Sequence, residues 1–276
     1  MTPKTRLGSV NYLNCRPLVH GLGGDADPQF TLRFDPPAVC AALLDAGEID
    51  LGLIPTIAYN DRPDDRVVPG VSIASEGPVA SVALFTTVPV REIRTIALDT
   101  SSRTSVVLTR ILCARRFEIA PAFERHAPDL ASMLAGHDAA LLIGDPAMFT
   151  DHRAIGQGAV EKIDLGEAWT AMTGLPFVWA FWAGRADALT PAAVERVRGA
   201  KAAGVTMSDA LADAYVAAAP QHRALARRYL RENIQFDLTE RMLAGVRTYY
   251  REAEALGLIG AAAEPRMFAL DGAARG

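Results

Sequence analysis

The chain has 276 residues, 50% hydrophobic and 22% charged, with a formal net charge of −4. That length holds one large domain or two ordinary ones, and the mild acidity without any block of Lys or Arg excludes the electrostatic footprint of a nucleic-acid binder. No apolar run reaches membrane-spanning length and no basic segment with an apolar core opens the chain, so a cytoplasmic enzyme or binding protein is expected.

In chain order, Arg6 to Val10 reads as a strand, followed by a helix near Pro17 to Gly21, a strand at Phe30 to Phe34, a helix near Ala38 to Ala46 and a strand at Asp50 to Ile54. This βα alternation predicts a mainly parallel sheet with ligands at the carboxyl ends of its strands. Ser81 to Thr87, apolar and β-branched, reads as a crossing into a second unit. That unit repeats the rhythm: Thr95 to Leu98, a helix from Val106 to Phe117, a strand at Ala122 to Arg125, a short helix at Asp129 to Ala135 and a strand at Asp138 to Ile143. Phe177 to Ala183 reads as the return crossing. From Thr190 onward the pattern is helical, and Arg223 to Arg231 falls on it as a solvated face. The final Ala- and Gly-rich residues read as a poorly ordered tail. Cys15, Cys40 and Cys113 are odd in number, widely spaced and set in apolar surroundings, as reduced thiols are.

These elements predict an α/β fold of two lobes, residues 1–87 with 179–276 and residues 88–178, whose strand ends face a central cleft. Two lobes joined by two crossings resemble the type II periplasmic-binding-protein fold, a form that closes over a small anionic ligand. Fold alone does not choose between a binder and an enzyme.

The richest local signal is Ile96 to Ser105, where a strand-like run breaks into a hydroxyl-rich turn and enters a helix. Free backbone N–H groups and the positive dipole end sit at a helix start, so Ser102, Arg103, Thr104 and Ser105 are candidates to hold a carboxylate or phosphate. Helix capping explains one or two of these hydroxyls; five within Thr100 to Ser105 exceed what a cap requires.

Five ordered motifs carry a family resemblance: SVNYLNCRPL from Ser9, DLGLIPT from Asp50, SSRTS from Ser101, LLIGD from Leu141 and WTAMTGLPF from Trp169. Together they resemble the MqnA branch of the MqnA/MqnD family, the chorismate dehydratases of the futalosine route to menaquinone. The resemblance implies a hydro-lyase that converts chorismate to 3-[(1-carboxyvinyl)oxy]benzoate and water. Aromatisation drives that reaction, so no cofactor and no metal is expected, and the partner is the small-molecule substrate. Asn14 and Ser81 are the expected catalytic residues, acting by orientation. Thr56, Gly144, Asp145, Thr173 and Gly174 are expected to join Ser102 to Ser105 around the substrate, with Gly144 leaving room for it and Trp169 in the core.

The sister MqnD branch resembles the chain but carries His-Glu-Gly where Gly144-Asp145-Pro146 stands, and Lys and Ser near Ile54 to Thr56. A carboxylate-binding protein without turnover is the alternative from another class. All five histidines fall outside the motifs. The base is therefore either Asp145, which equally suits a helix cap, or the substrate's own enolpyruvyl carboxylate.

Overall fold

The computed structural model describes residues 4–24, 27–155 and 160–270, and the expected tail falls partly on residues 271–276, outside that set. Two five-stranded mixed sheets form the framework. In the first, β1 (Thr5–Ser9) lies between β2 (Phe30–Phe34) and β3 (Leu51–Pro55), parallel to both. The helix α1 (Pro37–Asp45) connects β2 to β3 and begins with proline at its first turn, where a missing N–H costs nothing. All five residues of β3 are buried, as expected of a strand covered on both faces. The second sheet repeats the plan with β6 (Thr95–Asp99) between β7 (Ala122–His126) and β8 (Ala139–Ile143), again parallel, with α4 (Leu130–Gly136) joining β7 to β8 as the short α2 (Thr56–Tyr59) follows β3 in the first.

Each sheet is completed by an antiparallel strand arriving from the other side of the molecule. β5 (Val82–Thr86) pairs with β8, and β10 (Phe177–Arg185) pairs with β3. The expected boundary at residue 87 therefore moves. The stretch read as a crossing is a strand of the second sheet, and the chain passes between sheets earlier, through Glu76 to Ser81. It returns through Gly174 to Pro176, just before β10.

The outer strands β4 (Asp65–Ser75) and β9 (Glu161–Asp164) have no counterpart in the sequence reading. Pro69 and Gly70 interrupt the alternation in β4, which an edge position tolerates, and β9 is only four residues long. The first expected helix is a 3₁₀ segment, Leu13–Val19, placed earlier than Pro17 to Gly21; Gly21 has a positive φ of 70°.

The C-terminal helices pack chiefly on the first sheet. α7 (Pro191–Thr206) crosses the 3₁₀ segment so closely that a Cβ on Gly204 would lie 2.0 Å from the Pro17 carbonyl oxygen. α8 (Ser208–Tyr215) and α9 (Arg223–Arg228) follow, and α9 runs into a π-helical turn, Tyr229–Asn233. α10 (Glu240–Ala255) spans the seam between the sheets. From it Tyr249 donates to the Thr104 carbonyl at 2.9 Å and Tyr250 to the Thr56 carbonyl at 2.6 Å. Trp169 is fully buried in a cluster with Phe177 and Tyr249, each ring edge-on to the other two. Beyond α10 the chain returns to the first sheet, where Phe268 donates to the Val67 carbonyl. Among the described residues no helix is long and apolar enough to cross a membrane.

Candidate active site

The carboxyl ends of β1, β3, β6 and β8 meet at the seam, the position where α/β sheets bind ligands. A cavity of about 80 Å³ lies there. Its apolar wall includes Val10, Leu53, Ile73, Val82, Ile143 and Trp179, and its polar groups come from Asn14, Ser81, Ser102, Thr104 and Ser105. Small-molecule sites usually measure roughly 300–1,000 Å³, so this cavity must widen to admit a ligand. A larger concavity, about 760 Å³, lies elsewhere beside α7 and α10. Its charges are spent on one another: Arg241 pairs with Glu76, Lys201 with Asp237 and Arg231 with Asp209.

Asn14 and Ser81 come from opposite sides of the seam and meet through a residue the sequence did not single out. The Asn14 amide donates to the Tyr229 hydroxyl at 2.9 Å, and the Ser81 and Tyr229 hydroxyls are 2.7 Å apart. Tyr229 is only 1% exposed. It stands inside the Arg-rich stretch read as a solvated face; its arginine neighbours do face outward, Arg227 onto Asp213 and Arg231 onto Asp209. A lone aromatic among those arginines was the available signal, but its partners are separated from it by more than a hundred residues in sequence.

Ser81 is aimed by strain next door. Ala80 has φ of +63°, a left-handed conformation that costs a non-glycine residue roughly 1–2 kcal/mol. Asp164 accepts the N–H groups of Val79 and Ala80, and the Lys162 ammonium donates to the Ala80 carbonyl at 2.8 Å. Burial lowers the Lys162 pKa. The Ser81 carbonyl accepts the Gly144 N–H at 2.7 Å, tying the strand to the start of α5 (Gly144–Phe149).

The hydroxyl-rich turn divides its work. Ser101 donates to buried Asp99, while the Ser102 hydroxyl accepts the Ser105 N–H at 3.1 Å and so caps α3 (Thr104–Leu112). The Thr104 hydroxyl accepts the Ile57 N–H across the seam at 3.2 Å. Ser102 and Thr104 are acceptors in these bonds and each keeps its own proton to donate. Arg103 points away from the cavity; it is exposed and pairs with Asp61.

Several expected contacts lie elsewhere. The Thr56 hydroxyl donates to the Val178 carbonyl at 2.7 Å and locks β3 to β10, so it is not on the cavity wall. Thr173 and Gly174 end α6 (Leu165–Thr173), where Thr173 bonds the Trp169 carbonyl and Gly174 takes the left-handed capping conformation. Gly144 does line the cavity, at φ +63°, but the space its missing side chain leaves is filled by Tyr12, whose ring a Cβ would meet at 3.0 Å. Asp145 lies outside the cavity wall and accepts from the Tyr215 hydroxyl on α8. Burial raises its pKa. It thus links α5 to the other lobe.

Among the described residues lining the cavity there is no Lys, Arg or His. Cys15 lines it, but burial pushes the thiol up to about 12, so it stays protonated near neutral pH. Cys40 and Cys113 are likewise buried and free. The wall can therefore hold an anion by hydroxyls, backbone N–H groups and the α3 dipole without pairing it to a cation.

This architecture places the chain among proteins of the periplasmic-binding-protein fold. The alkanesulfonate-binding protein SsuA from Xanthomonas axonopodis pv. citri superposes with a TM-score of 0.70 over 95% of this chain and 96% of its own, at 18% identity. Protein AF1704 from Archaeoglobus fulgidus gives a TM-score of 0.71, also at 18% identity, over 93% and 98%. A menaquinone biosynthesis family profile matches residues 5–255. A chorismate dehydratase from Thermus thermophilus is 33% identical over 266 residues, covering 91% of this chain and 95% of that enzyme. The chain belongs to the menaquinone biosynthesis family, and with it to a family of biosynthetic enzymes.

Proposed function

We propose that this protein is a chorismate dehydratase, a hydro-lyase forming 3-[(1-carboxyvinyl)oxy]benzoate and water in the cytoplasmic, futalosine-dependent route to menaquinone. The observation that carries the reading is a cleft with no cation among the described residues lining it, faced by Asn14 from the first sheet and by Ser81 and the start of α3 from the second, in a chain 33% identical to a chorismate dehydratase.

The two lobes, the first and second sheets with their helices, part to admit chorismate and close over it. One substrate carboxylate takes the hydroxyls of Thr104 and Ser105 and the N–H groups of the first turn of α3. Val10, Leu53 and Trp179 present apolar surface to the ring. Asn14 and Ser81 orient the departing hydroxyl, which leaves with a proton as water while a ring C–H proton is lost and the ring becomes aromatic. The enolpyruvyl carboxylate takes the ring proton and hands it to the departing hydroxyl, so that the two leave together as water and the carboxylate ends ionised. A lysine or arginine beside it would lower its basicity, and the cavity supplies neutral donors in their place. Asp145, held by Tyr215 outside the cavity wall, serves closure rather than proton transfer.

Incubation of the purified protein with chorismate, followed by absorbance and mass, tests the reading. A new aromatic product lighter than chorismate by one water is expected. Bound but unchanged chorismate would mean a carboxylate-binding protein, and turnover of a cyclic futalosine derivative in its place would mean the sister lyase.

A further inference from the structure

We propose that Tyr229 is a positioning residue for the dehydration, setting which way the Ser81 hydroxyl points. The inference rests on the chorismate dehydratase reading. Its basis is a count of protons around one phenol. A buried tyrosine O–H needs an acceptor. The two hydrogen-bonding neighbours of the Tyr229 oxygen are the Asn14 amide nitrogen, a donor, and the Ser81 hydroxyl. Asn14 can only give a proton there, so the phenol gives its own to Ser81 Oγ. Ser81 then has its proton left for the cleft, where it meets the oxygen that must leave.

The same phenol oxygen fixes the Asn14 amide by accepting one of its two N–H groups, leaving the other for substrate. Tyr229 therefore acts on both orienting groups at once without touching the cavity, whose wall includes Asn14 and Ser81 and not Tyr229. The phenol stays protonated through the physiological range because burial raises its pKa. Its position follows from the π-helical turn Tyr229–Asn233 that continues α9. Such turns recur at functional sites, where the widened coil re-aims a side chain.

The test is a double-mutant cycle on chorismate turnover with Tyr229→Phe, Ser81→Ala and the double variant, each with a melting curve. Phenylalanine keeps the ring and removes only the hydroxyl. Tyr229→Phe should lower kcat by about tenfold or more with KM nearly unchanged, as misorientation of a positioned group does. In the Ser81→Ala background the same change should cost distinctly less, only the part that acts through Asn14, because residues acting as a unit are non-additive. Equal, additive losses in both backgrounds would make Tyr229 a packing residue and overturn the inference, as would a wild-type kcat in Tyr229→Phe. Should Tyr229→Phe fail to fold, 3,5-difluorotyrosine at this position keeps the ring and the bonds but ionises more readily. Loss of kcat at alkaline pH should then move to lower pH relative to the unmodified enzyme, with Cys15 and Asp145, the other titratable groups bearing on the phenol, unchanged between the two. Superimposable profiles would overturn it. A wild-type protein inert toward chorismate would remove the functional reading itself, and the inference with it.

Discussion

Two clusters of buried hydroxyls sit a short distance apart on the same seam, and they differ in what their protons are spent on. In the structural cluster, Thr56 donates to the Val178 carbonyl, Tyr250 to the Thr56 carbonyl and Tyr249 to the Thr104 carbonyl. Each proton ends on backbone. In the cleft cluster, Asn14, Tyr229 and Ser81 bond mainly to one another, and Ser102 and Thr104 act as acceptors, so donor protons remain for a ligand. The hydroxyls of both are buried. The bonding partner is what separates a group that holds the lobes from one that can work on a substrate.

The comparison breaks most readily at Asn14. Asn14→Ala should lower kcat on chorismate by about 10²–10³, the cost of losing one preorganised donor to developing charge, with a melting temperature close to that of the parent. A variant of unchanged kcat would move Asn14 into the structural cluster.

Thr104 belongs to both clusters and should show it. Thr104→Val strands the buried Ile57 N–H, a loss of about 1–3 kcal/mol in stability, and removes a donor to a carboxylate, weakening chorismate binding by roughly 1.5–3 kcal/mol. Denaturation and ligand titration measure the two separately; a loss in only one assigns the residue to one cluster. Gly144→Ala should follow, since a Cβ there meets the Tyr12 ring and the left-handed φ penalises alanine by about 1–2 kcal/mol. Tm should drop and turnover should fall, because Tyr12 is displaced. An unaffected Tm would show that Tyr12 yields freely.

Tyr249→Phe sharpens the opposite side. It removes the bond from α10 to the Thr104 carbonyl and should cost about 1 kcal/mol of stability, with kcat unchanged. Asp145→Asn should have the smallest effect on turnover, which stays measurable. Its signature is in pH. The Asp145 carboxyl has its pKa raised in the folded state, so its contribution is fully present below the unfolded value and is lost as pH rises through the folded one. Replacing it by a neutral amide should flatten that part of the stability profile from acid to neutral pH. Abolished turnover in a folded Asp145→Asn protein would make Asp145 the base.

Much of the framework was legible because periodicity is local. The parallel strands β1, β2, β3, β6, β7 and β8 and the helices between them follow from alternating apolar runs bounded by turn residues. What escaped was set by tertiary pairing. β5 looks the same whether it crosses between lobes or joins the second sheet, and only its bonds to β8 and β9 decide. At the site, Ser81, Asn14 and the α3 start were readable from motif and helix-start chemistry. Thr56 was not separable from them, because its hydroxyl is spent on a carbonyl 122 residues away. Tyr229 lay hidden for the same reason: its meaning is two long-range bonds.

The split between the clusters is tested most directly by measuring kcat on chorismate and Tm for Ser81→Ala beside Thr56→Val. Ser81→Ala should lose about 10²-fold or more in kcat, with about 1–3 kcal/mol of stability lost as well because the buried Tyr229 hydroxyl is left without its acceptor. Thr56→Val, which leaves the Val178 carbonyl without its donor, should lose about 1–3 kcal/mol of stability and keep kcat in the fraction that remains folded. Full turnover in Ser81→Ala, or a kcat loss in folded Thr56→Val that matches it, would contradict the account.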